Sequence, residues 1–236
     1  MKSVNILHLY YDLMNLYGEY GNIIALRDAF KLQGVEVKID KKSIGDTIDF
    51  MKYDIVYIGE GSEYNQELVR QDLLKYKSEL NAYIESYKIL IATGNSYELF
   101  GDKIDKKEAL GIFHFKSFYK SITTDVGDRI VNEEIMDTDF LGSPVVGFVN
   151  RNSVNDIKDG YLFKVRKGYG NDIKDKFEGI HYKNFYGTYL LGPLLIRNPY
   201  LLDYILSNFL GDKYKELDTP DKQAYEEYLK TYNIEK

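Results

Sequence analysis

Few side chains in this sequence are equipped to act as nucleophile or base. An apolar run, Ile89 to Ala92, leads straight into Thr93-Gly94-Asn95-Ser96. A strand that ends in a sharp turn and enters a helix is the geometry of a nucleophile elbow in hydrolases, and Thr93 and Ser96 bring hydroxyls to it. Two other turns follow apolar runs in the same way, Tyr11-Asp12 and Gly59-Glu60-Gly61-Ser62. A hydroxyl needs a neighbouring base before it attacks anything. The three histidines, His8, His114 and His181, lie far apart in the chain, with no HxxxH or HxH spacing. There is no cysteine, which removes disulfides, thiolate metal sites and a thiol nucleophile together. No metal and no cofactor are expected. Taken by periodicity alone, the three turns read as ordinary glycine turns.

The elements that would carry these turns alternate through the first half. Val4 to Tyr10 is strand-like, Asn22 to Gln33 has Ile23, Leu26 and Phe30 at helical spacing, and Gly34 sits where a helix stops. Val35 to Ile39 and Ile55 to Ile58 read as strands. Gln66 to Glu85 reads as one polar helix with Leu68, Leu73, Leu80 and Ile84 on one side. This alternation predicts a parallel sheet flanked by helices. Ligands of such a sheet bind at the carboxyl ends of its strands, where the three turns fall.

The second half reads differently. Ile112 to Ile122, Arg129 to Ile135, Val145 to Val149, Tyr161 to Val165 and Tyr186 to Leu191 look like strands separated by Gly-, Asn- and Asp-rich turns. A helical stripe of Leu201, Leu202, Ile205, Leu206, Phe209 and Leu210 follows Pro199, and Pro220 to Tyr232 is a charged helix packed by Tyr225, Tyr228 and Leu229. With 236 residues, no repeat and no linker-like stretch, residues 1–236 are expected to form a single domain, its sheet extended by antiparallel strands.

Composition narrows the function classes. Lys and Arg total 31 against 37 Asp and Glu, a net charge of −6 without a basic stripe, so nucleic acid is not an expected partner. No apolar run approaches the thickness of a bilayer, and the N-terminal MKSVNILHLYYDLM lacks a signal-peptide core and cleavage site. A cytoplasmic protein is expected, and the 23 tyrosines read as packing and surface.

Four stretches resemble one family in order and spacing. DLMNLYGEYGNI (Asp12 to Ile23) resembles the N-terminal signature of the glutaminase subunit of lipid II isoglutaminyl synthase, a cobyric-acid-synthase-like class I glutamine amidotransferase. GEGSEYNQ (Gly59 to Gln66) resembles that family's GGGQDxEQ turn, and KGYGND (Lys167 to Asp172) its KGxGNN. The run YKNFYGTYLLGPLLIRNP (Tyr182 to Pro199) resembles YKNxxGTYLHGPLLPKNP. The resemblance covers nearly the whole chain. It implies the class I amidotransferase fold, ammonia production for peptidoglycan precursor amidation in cell-wall assembly, and a Mur-ligase-like ATP-dependent synthetase as partner.

In the family a cysteine on the elbow attacks the glutamine amide and a histidine relays protons. Residue by residue, neither carries over. The family's CGGYQLLG matches GNSYELFG here, so the cysteine position is Gly94. Its GTYLHGPLL matches GTYLLGPLL, so the histidine position is Leu191. Its FENH matches FVNR, placing Val149 and Arg151 where the glutamate and histidine stand. The resemblance leaves Gly59, Gly61, Asn95 and Arg129 as substrate-binding candidates, although Arg129 equally reads as an exposed ion-pairing arginine. Asp12 and Asn15 would line the cleft, face a partner or cap a turn. Glu60, beside the expected oxyanion hole, would oppose the negative charge that develops there.

Three functions remain open on these residues. The first is a relative of the glutaminase subunit without glutaminase activity, acting as partner or regulatory subunit of a Mur-ligase-like synthetase. The second is a binding module for glutamine or another amino acid. The third is a hydrolase of altered chemistry using Ser96, with Glu98 facing the pocket.

Overall fold

The computed structural model describes residues 3–119 and 129–235. The first half builds the sheet. Strand β1 (Ser3–Leu9) is followed by helix α1 (Tyr20–Leu32), β2 (Glu36–Lys42), β3 (Ile55–Ile58), α2 (Glu63–Leu73), α3 (Lys77–Glu85) and β4 (Ile89–Thr93). Further along, β13 (Ile180–Tyr182) and β14 (Phe185–Thr188) complete it. The order across the sheet is β13-β14-β4-β3-β1-β2. All neighbours are parallel except β13, which pairs antiparallel with β14.

Burial follows from this order. Every residue of β3, β4 and β14 is buried, because both faces of these inner strands are covered, while the edge strand β2 is partly exposed throughout. From β1 the chain moves to β2 on one side and returns to β3 on the other. Right-handed crossovers then place α1 and the α2–α3 pair on opposite faces, and the strand order reverses between β1 and β3.

The expected single helix from Gln66 to Glu85 is two helices, joined by a 3-10 turn at Leu74–Tyr76. The break lets Leu73 and Tyr76, then Leu80, Tyr83 and Ile84, all reach the core. The N-terminal turn also begins earlier than expected, at Glu63, because Ser62 caps it: the Ser62 hydroxyl accepts from the Asn65 N–H at 3.2 Å.

The rest of the second half forms two four-stranded sheets. One has the order β10-β7-β5-β6, from β5 (Lys103–Ile104), β6 (Lys107–Glu108), β7 (Lys116–Tyr119) and β10 (Ser153–Asn155). The other is antiparallel, β12-β11-β8-β9, from β8 (Ile130–Asp137), β9 (Val145–Arg151), β11 (Phe163–Lys167) and β12 (Phe177–Glu178). The strand expected over Ile112 to Ile122 is confined to β7 within the described residues, and its last three positions lie outside them. Helices α4 (Leu194–Arg197) and α5 (Pro199–Leu210) pack on α1, and α6 (Pro220–Thr231) adds a small cluster of Tyr225, Leu229 and Val146. No helix among the described residues is long and apolar enough to cross a membrane.

Candidate functional site

The carboxyl ends of β1, β3, β4 and β14 meet in one corner. Register pairs Thr93 with Thr188, so the turn after β4 and the segment after β14 leave the sheet side by side. Gly94 opens a 3-10 helix, Gly94–Phe100, and has φ +62°. That left-handed backbone is costly for any residue with a Cβ, and nucleophile elbows accept it because it thrusts one side chain into the cleft. Here there is no side chain to present.

The space it would use is filled. A Cβ built at residue 94 would collide with Oε2 of Glu60 and stand 2.7 Å from Glu60 Cβ and Cδ. Glu60 is 4% exposed, and its Oε2 accepts the backbone N–H of Asn95. The Asn95 side chain closes the same corner: Nδ2 donates to Gly61 O at 2.8 Å and Oδ1 accepts from Gly61 N at 3.2 Å. Gly61 and Gly59 both press on the loop after β1, where Cβ atoms would meet Met14 Cε at 3.1 Å and Met14 O at 2.7 Å. Burial pushes the Glu60 carboxyl well above its ordinary range. The Asn95 N–H pulls it down, and nearby Glu19 and Glu98 push it up again. The sequence-based reading set Glu60 beside the hole as an adverse charge. The structure places it directly against the Asn95 N–H, as a buried carboxyl whose pKa burial raises.

Leu191 lies 1% exposed in an isolated antiparallel bridge with Phe148. Arg151 does not line an open pocket. It is 4% exposed, with its guanidinium 3.9 Å from the centre of the Tyr189 ring. It donates to the carbonyls of Ser153 at 3.2 Å, Asn171 at 3.1 Å and Gly170.

Glu98 is also fully buried rather than cleft-facing. It accepts from Gln66 Nε2 at 2.8 Å, Tyr189 OH at 2.6 Å and the Ser153 hydroxyl. Ser96 is unsuited to the role of nucleophile, since its hydroxyl is buried against Thr93 O at 2.8 Å and Ile58 O at 3.0 Å. Thr93 is bonded to Glu19 and, at 2.8 Å, to Tyr57 OH. Glu19 accepts from Tyr57 OH at 2.6 Å, and burial pushes its pKa up to about 7.

The rim of the corner is made of Tyr17, Phe148, Asn150, Arg129 and Glu63. Arg129 Nη1 is 2.5 Å from Glu63 Oε1, its Nε donates to Asn150 Oδ1 at 2.6 Å and its Nη2 to Asn150 O at 2.9 Å. Asn150 Nδ2 donates to Tyr17 OH at 2.7 Å. Tyr17 holds φ +56° and stands edge-on to Phe148, with ring centroids 5.6 Å apart. Asp12 accepts the Ser43 hydroxyl, from the turn after β2, at 2.5 Å, and Asn15 accepts the Tyr20 N–H at 2.7 Å.

The histidines remain scattered. His8 is buried in β1 with neither ring nitrogen bonded, His114 is exposed beside Asp102, and His181 stacks on Tyr186. Two open clefts among the described residues flank the corner without entering it. One of about 420 Å3 is lined by Phe113, His114, Phe115, His181 and Tyr182, and one of about 350 Å3 by Glu63, Gln66, Arg70 and Tyr119. Neither reaches Gly94 or Leu191.

Residues 5–199 match the model of the CobB/CobQ-like glutamine amidotransferase domain. The chain belongs to this family. It is 36% identical over 211 residues to the GatD subunit of lipid II isoglutaminyl synthase (glutamine-hydrolyzing) of Staphylococcus aureus N315, covering 87% of this chain and 84% of that one. To the GatD subunit of Streptococcus pneumoniae R6 it is 32% identical over 235 residues, covering 96% and 87%.

The fold matches the solved PurLQS structure from Thermotoga maritima at TM-score 0.56 and 13% identity, over 97% of this chain and 100% of that one. It matches a glutamine amidotransferase from the same organism at TM-score 0.50 and 10% identity, over 98% and 86%. Within the CobB/CobQ-like family this chain is a relative of the GatD glutaminase subunit that has no cysteine. The departure is visible in the sequence at Gly94 and Leu191, and Glu60 stands there as a separate adverse charge. Only the structure joins them.

Proposed function

We propose that this chain is a non-hydrolysing GatD relative that serves as partner or regulatory subunit of a Mur-ligase-like ATP-dependent synthetase in peptidoglycan precursor amidation. The observation that carries the reading is the filled elbow. Gly94 offers no nucleophile, and the Glu60 carboxyl takes the space and the N–H that a reacting amide needs. Leu191 supplies no base at the position matching the family's histidine. Ser96, a hydroxyl on the same turn, donates into backbone carbonyls.

The partner role is supported by what is retained. The identity to GatD extends over most of both chains, while Gly94 and Leu191 bring neither nucleophile nor base to the corner. A fold kept to this extent without its nucleophile fits selection on an interface. The filled corner also weighs against an amino-acid binding module, because the Glu60 carboxyl already occupies the Asn95 N–H and the space beside Gly94. Arg129, at the rim, is engaged by Glu63 and Asn150.

The test is co-expression with the Mur-ligase-like synthetase encoded by the same organism. The expected result is a complex that co-elutes, amidates its acceptor with ammonium and ATP, and releases no glutamate from glutamine. A chain that never associates with the synthetase overturns the partner role. Glutamate release by the purified chain overturns the non-hydrolysing reading.

A further inference from the structure

The corner that a glutaminase keeps free for the substrate amide holds a carboxyl group of the chain itself. We propose that Glu60 is an internal ligand: the elbow of this protein retains a binding site for a carboxyl group on a short methylene stem, and the chain fills that site with its own side chain. The inference rests on the non-hydrolysing reading above, but it concerns the isolated chain and its test needs neither partner nor turnover.

Three observations support it. First, the contact is polar and specific. Oε2 of Glu60 accepts the Asn95 N–H, a buried backbone donor that would otherwise lack a partner. An aliphatic side chain would fill the volume and leave that donor orphaned.

Second, the glutamate is fixed at both ends. Its carbonyl accepts the Leu16 N–H at 3.0 Å, and the adjoining Gly61 is doubly bonded to the Asn95 side chain. The turn after β3 and the elbow after β4 are therefore clamped around the carboxyl.

Third, the fit depends on the missing side chain of residue 94. Any Cβ there would overlap the carboxyl, so Gly94 and Glu60 are complementary halves of one arrangement. Chemically, the occupant is a protonated or hydrogen-bonded carboxylic acid on two methylenes, the same end group that a hydrolysed glutamine side chain carries.

The experiment is chemical rescue. Glu60→Gly removes the two methylenes and the carboxyl, a volume matched by propionic acid. Glu60→Ala leaves one carbon, and acetic acid matches the remainder. Melting temperatures are read with acetate, propionate and, as a cationic control without a carboxyl group, ethylammonium.

Both variants are expected to melt below wild type. Propionate should raise Glu60→Gly most, acetate should raise Glu60→Ala most, and ethylammonium should raise neither. Wild type and Glu60→Gln, whose amide oxygen can still accept the Asn95 N–H, should show no carboxylate-specific shift. Folded variants with no size-matched rescue overturn the proposal. Should the truncated variants fail to fold, hydrogen exchange at the Asn95 amide decides it. Strong protection in wild type and in Glu60→Gln supports an occupied site, and exchange at the rate of an open amide overturns it.

Discussion

Leu191 and Phe148 exchange both backbone hydrogen bonds, Leu191 N–H to Phe148 O at 2.9 Å and Phe148 N–H to Leu191 O at 3.1 Å. This bridge ties the segment after β14 to β9 and holds position 191 in place, although its side chain is now apolar. By resemblance this is the position of the family's histidine, and here the bridge holds a leucine. Restoring the two family residues is a direct test of whether scaffold alone suffices.

Gly94→Cys with Leu191→His is expected to release no glutamate, because Glu60 still occupies the corner. The steric half of this argument is measurable without activity. Gly94→Ala adds only a Cβ, into overlap with Glu60 and at a left-handed backbone, and should cost about 2–4 kcal/mol. Glu60→Gly in the same chain removes the overlap but not the backbone strain. A double-mutant cycle by urea denaturation should therefore show a favourable coupling of about 1–3 kcal/mol. Additive losses would mean that Glu60 and residue 94 do not compete for space.

Much of the frame was legible in the sequence because it rests on periodicity. Ile55 to Ile58 and Ile89 to Ala92 are continuous apolar runs that only a doubly covered sheet buries, and both are inner strands. The break in the long helix from Gln66 is silent in the sequence because its residues, Leu74-Lys75-Tyr76, are all acceptable in a helix. What bends the chain there is tertiary packing.

The site was legible as a loss, through Gly94 and Leu191, but not as a replacement. That Glu60 enters the elbow depends on a contact between residues 34 positions apart in sequence. No local pattern encodes it. Arg151 was likewise visible as a substitution for histidine, yet its burial under Tyr189 follows from how β9 meets the loop at Gly170 and Asn171.

The buried acids make stability depend on pH with a defined sign. Burial raises Glu19 and Glu178 to about 7 and Glu134 to about 8, from an ordinary value of 4.5. Their contribution is complete below 4.5 and is lost as pH rises through the folded values, because the unfolded chain ionises first. His8 acts oppositely: burial lowers it to about 4 from 6.5, so its contribution is lost as pH falls from 6.5.

Between pH 6.5 and 8 the opposing histidine contribution of His8 and His181 fades and the raised carboxyls, Glu60 and Glu98 among them, dominate the slope. Stability should fall there by about 1.4 kcal/mol per pH unit for each carboxyl still below its folded pKa. Urea denaturation at half-unit steps measures it. Glu134→Gln should flatten the segment from 7 to 8, and a wild-type curve that rises across this window would refute the assignment of these groups as proton-retaining.

Ser96 separates a structural hydroxyl from a catalytic one. Its Oγ is buried and bonded to Thr93 O and Ile58 O, and no imidazole approaches it among the described residues. Ser96→Ala should cost about 0.5–1.5 kcal/mol, the net value of a hydrogen bond, and change no enzymatic readout. If the wild-type chain released glutamate and this variant did not, the hydroxyl would have to be reassigned as the nucleophile.

Arg151 is the strongest test of the buried polar layer behind the elbow. Its guanidinium satisfies the carbonyls of Gly170, Asn171 and Ser153 and stacks on Tyr189, whose hydroxyl in turn donates to Glu98. Arg151→Met keeps much of the volume but removes every one of these donors. Among the described residues the carbonyls then lose these donors, and Glu98 and Glu178 lose a nearby charge that favours their ionised forms. The expected loss is about 3–5 kcal/mol, as for the removal of one member of a buried charged network.

Arg151→Lys should recover only part of it, since a single ammonium cannot reach three carbonyls in a fixed fork and also stack. Both are read from urea denaturation at pH 7. A loss below about 1 kcal/mol for Arg151→Met would mean that the layer is held by packing of Tyr97, Phe115 and Tyr189 rather than by the buried cation.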